Sequence, residues 1–254
     1  MPEMAHTGED HGEAAVVGGG NSAIDAARTA IRLGAKDVTI LYRRERKDMP
    51  AWENEIVAAE EEGVKIEYLV APVKVIGKDG KVAGVECQRM QLAEFDKSGR
   101  RRPKPIEGSN FVLSIDTIVP AISQSSETDW ITKDSGITVT KGGTIALAPK
   151  KKTATTAAGV FVAGDAAKGP ATVVEAIAMG HQAAAEIDDY IRAANGEPAY
   201  KAPAEELIEI PFEVDEEVTE TPKAKMPELK LSERKITFKE VELGYNKKTA
   251  YKEA

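Results

Sequence analysis

The chain has 254 residues, 42% hydrophobic and 30% charged, with a net charge of −8 at pH 7, which suits a globular protein with one large or two smaller cores. The acidic balance excludes a whole-chain nucleic-acid binder, and no apolar run is long enough to span a bilayer. One cysteine and three histidines exclude an internal disulfide framework and argue strongly against a zinc or iron–sulfur site built by this chain alone, so electron chemistry here calls for a bound organic cofactor or a partner.

The opening "MPEMAHTGEDHGE" is acidic and polar, unlike a signal peptide, and a cytoplasmic location is the default expectation. "AAVVGG" reads as a short apolar strand. Ser22 to Leu33 reads as a helix with apolar positions at Ile24, Ala27 and Ile31, ending before Gly34. "DVTILYR" is a second strand, rich in β-branched residues. Pro50 suits the first turn of a helix that runs to Glu62 and stops at Gly63. "KIEYLV" is a third strand. A βαβαβ unit of this kind implies a parallel sheet with right-handed crossovers, the Rossmann-like α/β class.

From Val73 to Ala121 the pattern changes. The turn signals Asp79-Gly80 and Ser98-Gly99 join strands into an antiparallel meander laid against the parallel sheet, and "DTIVPAIS" closes it as another buried strand. "GITVTKGGTIAL" reads as a small hairpin. A second strand–turn–helix unit follows, with the strand at Gly159–Ala163 and the helix at Ala171–Ala194. Beyond Gly196 prolines recur and acids cluster at "EVDEEVTET", the pattern of an extended, poorly packed tail. The closing "TFKEVELGYNKKTAYKEA" has the makings of a helix. The expected organisation is 13–115, 116–195 and a tail over 196–254.

"GGGNSA" carries the first chemistry. Gly18, Gly20 and Ala23 form the GxGxxA version of a dinucleotide fingerprint. Gly18 permits the tight turn, Gly20 lets backbone approach a pyrophosphate, and Ala23 lets helix and strand pack closely. A helix opening at Asn21 or Ser22 aims its N–H groups and positive end at the phosphates. About 20 residues on, an NAD site would offer a carboxylate to the ribose 2′-hydroxyl. This chain offers Arg43 and Arg44 instead. They read either as solvated strand-end charges or as readers of a 2′-phosphate, and guanidinium–phosphate pairing favours NADPH. Asp25, one turn inside the helix, either reaches toward the nicotinamide end or serves the helix dipole.

"GVFVAGDAAKGPATVVEAIAMGHQAA", together with "GGGNSAIDAARTAIRLGA", "YRRERKDMPA" and "GRRRPKPIEGS", resembles the small (beta) subunit of NADPH-dependent glutamate synthase and its relatives among the pyridine nucleotide-disulfide oxidoreductases. The similarity spans about Ala14 to Asn195. It implies that 13–115 binds NADPH and that 116–195 is the C-terminal part of an FAD-binding domain. It also implies that Asp165 bonds the flavin ribityl chain while Gly164 allows close approach. Ala171, Thr172 and Val173 would then present N–H groups to the flavin pyrimidine edge, where a helix N-terminus stabilises negative charge. Without the resemblance, "GDA" would pass as an ordinary turn and cap.

The resemblance further implies an FAD-binding GxGxxG unit ahead of the NADPH domain. Only a dozen residues precede Ala14, so the chain is expected to be a slice of a larger oxidoreductase. Relatives usually carry glycine where this chain has Ser123, and iron–sulfur members continue past "KEA" into a cysteine pair. The expected activity is hydride transfer from NADPH to FAD, with electrons passed to iron–sulfur clusters or a partner subunit. A nucleotide-binding module without its own catalysis, or an interaction subunit lending half a flavin site, are the rival expectations. Apolar residues on several faces of the 171–194 helix favour self-association or a partner. Cys87 reads as a buried strand residue, His181 as a surface or packing residue, and "SGRRRPKP" as an exposed hairpin tip.

Overall fold

The computed structural model describes residues 12–95, 99–200 and 222–253. Strands β1 (Glu13–Val17), β2 (Asp37–Tyr42), β3 (Lys65–Tyr68) and β7 (Thr117–Pro120) form a parallel sheet in the order β3-β2-β1-β7. Parallel neighbours need crossovers, and α1 (Asn21–Arg32) and α2 (Glu53–Glu62) supply them between β1, β2 and β3. β4 (Val70–Lys78), β5 (Lys81–Phe95) and β6 (Arg101–Leu113) form a separate antiparallel sheet. Asp79 and Gly80 both take positive φ at the first hairpin turn, as a tight two-residue turn requires. Ser98 of the second turn lies outside the described residues; Gly99 stands at φ +75°.

Strand alternation places two cores on opposite faces of the parallel sheet. Ala14, Val16, Val38, Ile40 and Tyr42 pack with Ala23, Ile24, Ala27, Ile56 and Ala59 of the helices. Ala15 and Leu41, on the other face, pack with Val70, Val85 and Cys87 of the meander. Burial on both faces explains the nearly continuous apolar runs of β1 and β2. The expected meander against a parallel sheet is therefore present, and Cys87 is fully buried.

Several boundaries differ from expectation for identifiable reasons. β7 does not close the meander but joins the parallel sheet beside β1, and it is an edge strand with Thr117 and Pro120 exposed, not a buried one, because among the described residues only β1 pairs with it. α2 begins at Glu53, after the expected Pro50, because the loop is tied elsewhere: Ala51 N–H donates to the Gly19 carbonyl at 3.1 Å and Trp52 N–H to Asn21 Oδ1 at 3.1 Å. Gly63 closes α2 at φ +101°.

The described residues form two compact units. One runs to Ile122 and resumes at residue 222; the other is 123–200. The second holds three isolated antiparallel bridges, Val139–Ile145, Leu147–Thr155 and Ala154–Phe161, and only the last belongs to the strand expected at Gly159–Ala163. The first of these lies within the expected hairpin. A short α3 (Asp165–Lys168) intervenes before α4 (Val173–Asn195), which starts after Thr172 and ends at Gly196, φ +70°.

The acidic cluster of the tail lies outside the described residues. Its later part is packed, contrary to expectation. α5 (Leu231–Arg234) buries Arg234 to 4% exposure among Glu61, Glu62 and Glu228. The anticipated final helix is α6 (Lys247–Glu253). No helix among the described residues is long and apolar enough to cross a membrane.

Candidate functional site: two cofactor cradles

The first cradle is the turn between β1 and α1. Gly18 has φ +147°, and a Cβ there would lie 2.3 Å from the Ala121 carbonyl oxygen. Ala23 is fully buried, 3.3 Å from that same Cβ position. Gly20 is different: the nearest protein atom to an added Cβ is Pro50 Cγ at 3.9 Å. Nothing in the fold forbids a side chain at Gly20, so its smallness leaves room for a ligand. Gly20 also caps α1 with no side-chain hydrogen bond, and Asn21 and Ser22 are exposed. The arrangement fits a pyrophosphate at a helix N-terminus. Asp25 is exposed on the next turn and adds to the negative field around Arg28.

Gly19, to which the fingerprint assigns no role, is sterically required. A Cβ there would meet Tyr42 Cε2 at 2.4 Å. Tyr42 ends β2 nearly buried, and its hydroxyl donates to the Asp48 carbonyl at 2.6 Å. Burial raises the Tyr42 phenol, while the charges of Arg44 and Arg100 act in the opposite direction.

The two arginines that follow are not equivalent. Arg43 is exposed. Arg44 is 5% exposed and donates from Nε to the Arg101 carbonyl at 2.9 Å, so part of its work is to hold the β5–β6 hairpin at the end of β2. That long-range contact was invisible in the sequence, where "SGRRRPKP" reads only as an exposed tip.

The second cradle lies in the other unit. Gly164 takes φ +63° and ψ −146° at the start of α3, where an added Cβ would sit 3.5 Å from Ala176 Cβ. Asp165, Ala171, Thr172 and Val173 come together with Ala176 and Ile177 around an open cleft of about 410 Å³. Thr172 forms a capping box: its Oγ1 accepts from Glu175 N–H at 3.2 Å, and its own N–H donates to Glu175 Oε2 at 3.0 Å. These bonds, backbone first and then hydroxyl, hold the Glu175 carboxyl below its usual range. Of the N–H groups expected to face a flavin, that of Thr172 is thus already engaged, and the Val173 end of the helix remains for a ligand. Val173, Val174 and Ile177 are 76%, 74% and 56% exposed, an open apolar face at the start of α4. His181 is exposed on α4. Burial drives the Cys87 thiol up to about 11, which suits packing rather than thiol chemistry. Among the described residues no group of acids, histidines and cysteine is arranged to hold a metal.

Comparison with known proteins agrees with this geometry. The pattern of the family "Pyridine nucleotide-disulphide oxidoreductase" matches residues 3–180. The beta subunit of the NADP(+)-dependent formate dehydrogenase of Moorella thermoacetica is 41% identical over 237 residues, covering 91% of this chain and 33% of that protein. The small chain of glutamate synthase [NADPH] of Azospirillum brasilense is 40% identical over 179 residues, covering 70% of this chain and 37% of that one. The chain therefore spans about a third of the length of these curated relatives. Mycobacterium tuberculosis FprA, solved in complex with NADPH, shares the fold with a TM-score of 0.58 at 18% identity, over 76% of this chain and 56% of FprA. The family pattern covers most of the sequence, and both glycine-built turns fall inside it: the chain belongs to the pyridine nucleotide-disulphide oxidoreductase family.

Proposed function

We propose that this chain is the NADPH-binding and flavin-contacting part of an NADPH-dependent FAD oxidoreductase of the glutamate synthase small-subunit type. The observation that carries the reading is the presence, in one chain, of two separate cradles of the right chemistry. One is the uncapped N-terminus of α1 behind Gly18, Gly20 and Ala23. The other is the cleft of Asp165, Ala171, Thr172 and Val173. The names of the relatives, a formate dehydrogenase subunit and a glutamate synthase chain, support NADPH as the donor.

The chemistry supplied by the bound cofactors is hydride transfer from nicotinamide to flavin. Asn21 and Ser22 N–H groups and the α1 dipole hold the pyrophosphate, and Arg43 pairs with the 2′-phosphate. Asp165 accepts from ribityl hydroxyls. The Val173 end of α4 stabilises negative charge at the pyrimidine edge, while Ile177 and Ala176 keep water from the ring. No general acid or base is assigned.

Electrons then leave to iron–sulfur clusters or a partner subunit, in a cytoplasmic complex. The exposed Val173, Val174 and Ile177 favour a flavin cleft that is completed by a further segment or subunit. An absorbance spectrum of the purified chain, followed by NADPH titration with and without added FAD, tests the reading. Flavin bands that bleach with NADPH support it. NADPH binding with no flavin retained, even with FAD added, reduces the chain to a nucleotide-binding module.

A further inference from the structure

Residues 222–253 carry the opposite charge to the rest of the chain. They include nine lysines and arginines against five glutamates, a net charge of +4 in a chain of net −8. The segment is also fixed in place. Leu229 N–H donates to the Val241 carbonyl at 2.9 Å and Leu243 N–H to the Pro227 carbonyl at 2.8 Å, which makes a hairpin. The Tyr245 hydroxyl donates to the Ala224 carbonyl at 2.7 Å and draws the following chain back to the same end. Arg234 pairs with Glu61 and Glu62 of α2, and Arg32 Nε of α1 donates to the Arg234 carbonyl at 2.8 Å, so the hairpin is fastened to both helices.

What the hairpin buries and what it leaves out are the reverse of a self-sufficient fold. Its buried residue is the arginine, Arg234. Lys235 and Thr237 are half-buried, with Lys235 Nζ 3.7 Å from the position of a Cβ at Gly63, the end of α2. Ile236 and Phe238 alternate with them and therefore project away from the helices, 70% and 58% exposed. Leu243 and Tyr251 are exposed as well. Lys230, Lys239, Lys247 and Lys248 of the same hairpin are exposed, and none of the four is ion-paired among the described residues. Single exposed apolar residues are ordinary, but several large ones on one anchored hairpin, beside unpaired charges of one sign, mark an interaction site.

We propose that the 224–253 hairpin is a docking surface for an acidic protein partner, whose carboxylates meet the lysines while Ile236 and Phe238 pack against apolar groups between them. Protein interfaces place aromatic and aliphatic anchors at the centre and charges at the rim, where they steer the encounter. Other polyanions match this surface less well. A nucleic-acid backbone answers the lysines but not the aliphatic anchors. An anionic lipid surface is met by a long amphipathic helix, whereas α5 and α6 have four and seven residues. The proposal is independent of the cofactor reading above.

The test is the fluorescence anisotropy of a dye-labelled peptide that alternates glutamate with leucine and phenylalanine, titrated with the full chain. The expected result is saturable binding that weakens as salt is raised, with a loss of roughly tenfold in affinity in F238S and in the double variant K239E/K248E. All three side chains are exposed, so melting temperatures should stay near that of wild type. F95S and K78E change an exposed aromatic residue and an exposed lysine on the meander, and both should bind the peptide as wild type does. No binding by wild type overturns the proposal. So does an equal loss in F95S, which reduces the contact to unspecific adsorption. Duplex DNA or phosphatidylserine vesicles bound more tightly than the peptide, with the affinity lost in K239E/K248E and kept in F238S, would assign the surface to a different polyanion and also overturn it.

Discussion

Glu186, in the middle of α4, receives a 2.7 Å hydrogen bond from Thr153 Oγ1. The same carboxylate also accepts backbone N–H groups of Lys152, Thr153 and Ala154 at 3.2, 2.9 and 2.9 Å. It thus fastens the helix of the second cradle to the bridged turns beside it. Burial works against its charge, but the bonds from Thr153 and the three N–H groups prevail and hold its pKa near 2, from an ordinary 4.5.

A lowered folded pKa gives stability that is complete above about pH 4.5 and is lost as pH falls toward about 2. Thermal melts across that window should show the loss in wild type and a flatter profile in E186Q. E186A should cost roughly 1–3 kcal/mol at pH 7, since it leaves the fully buried Thr153 donors unmatched. Identical pH profiles for wild type and E186Q would mean that the Glu186 carboxylate does not stabilise the fold through these bonds.

The glycines of the first cradle make separable predictions. Gly19→Ala must displace the Tyr42 ring and Gly18→Ala meets the Ala121 carbonyl, so both should lower the melting temperature; the strain at Gly18 is of order 1–3 kcal/mol. Gly20→Ala meets no protein atom closer than 3.9 Å. It should leave the melt almost unchanged and weaken NADPH binding. A Gly20→Ala variant with normal NADPH affinity would show that the turn does not face the cofactor as argued.

What the sequence made legible was local. The βαβαβ order, the meander and the glycine turn each rest on residues within a few positions of one another, and periodicity reports those. The roles of Gly19 and Arg44 depend on partners brought in by the fold, Tyr42 and Arg101, and no short pattern contains both halves. The strand expected at Gly159–Ala163 failed for a related reason. Its apolar residues looked like a strand, but its partners are short turns, which allow only isolated bridges. At Thr172 a local signal was present: Thr-Val-Val-Glu is a capping box, and it already engages the Thr172 N–H through Glu175.

The tail is the case where composition misled most. Its prolines and acids signal little packing, yet Arg234 donates to Glu228 at 2.9 Å and to Glu61. Its Nε also lies 3.5 Å from Glu62, whose side chain is fully buried. Glu62 keeps Arg28 at 2.8 Å and Arg32 at 3.2 Å, so losing Arg234 does not strand its charge. R234A should therefore cost less than the roughly 3–5 kcal/mol of a broken buried pair. The expected loss is local: hydrogen exchange should quicken at Leu229 and Leu243, whose N–H groups bond the Val241 and Pro227 carbonyls. Protection unchanged at both amides would mean that the 227–243 turn holds without its arginine.

Ser123 joins sequence and structure in another way. The family resemblance leads one to expect glycine there, and the serine stands at φ +91°, a left-handed conformation that costs a residue with a Cβ about 1–3 kcal/mol. Replacing it with glycine removes that strain but loosens the unfolded chain, a penalty of about 0.4–1 kcal/mol. The two effects leave a net gain, so Ser123→Gly should raise the melting temperature, while Ser123→Val, with a branched Cβ at the same φ, should lower it. If glycine destabilised and valine did not, the strain at this position would have no energetic weight. The link after β7 would then tolerate serine because its backbone is held by neighbours such as the Ala121 N–H to Val17 carbonyl bond at 2.8 Å.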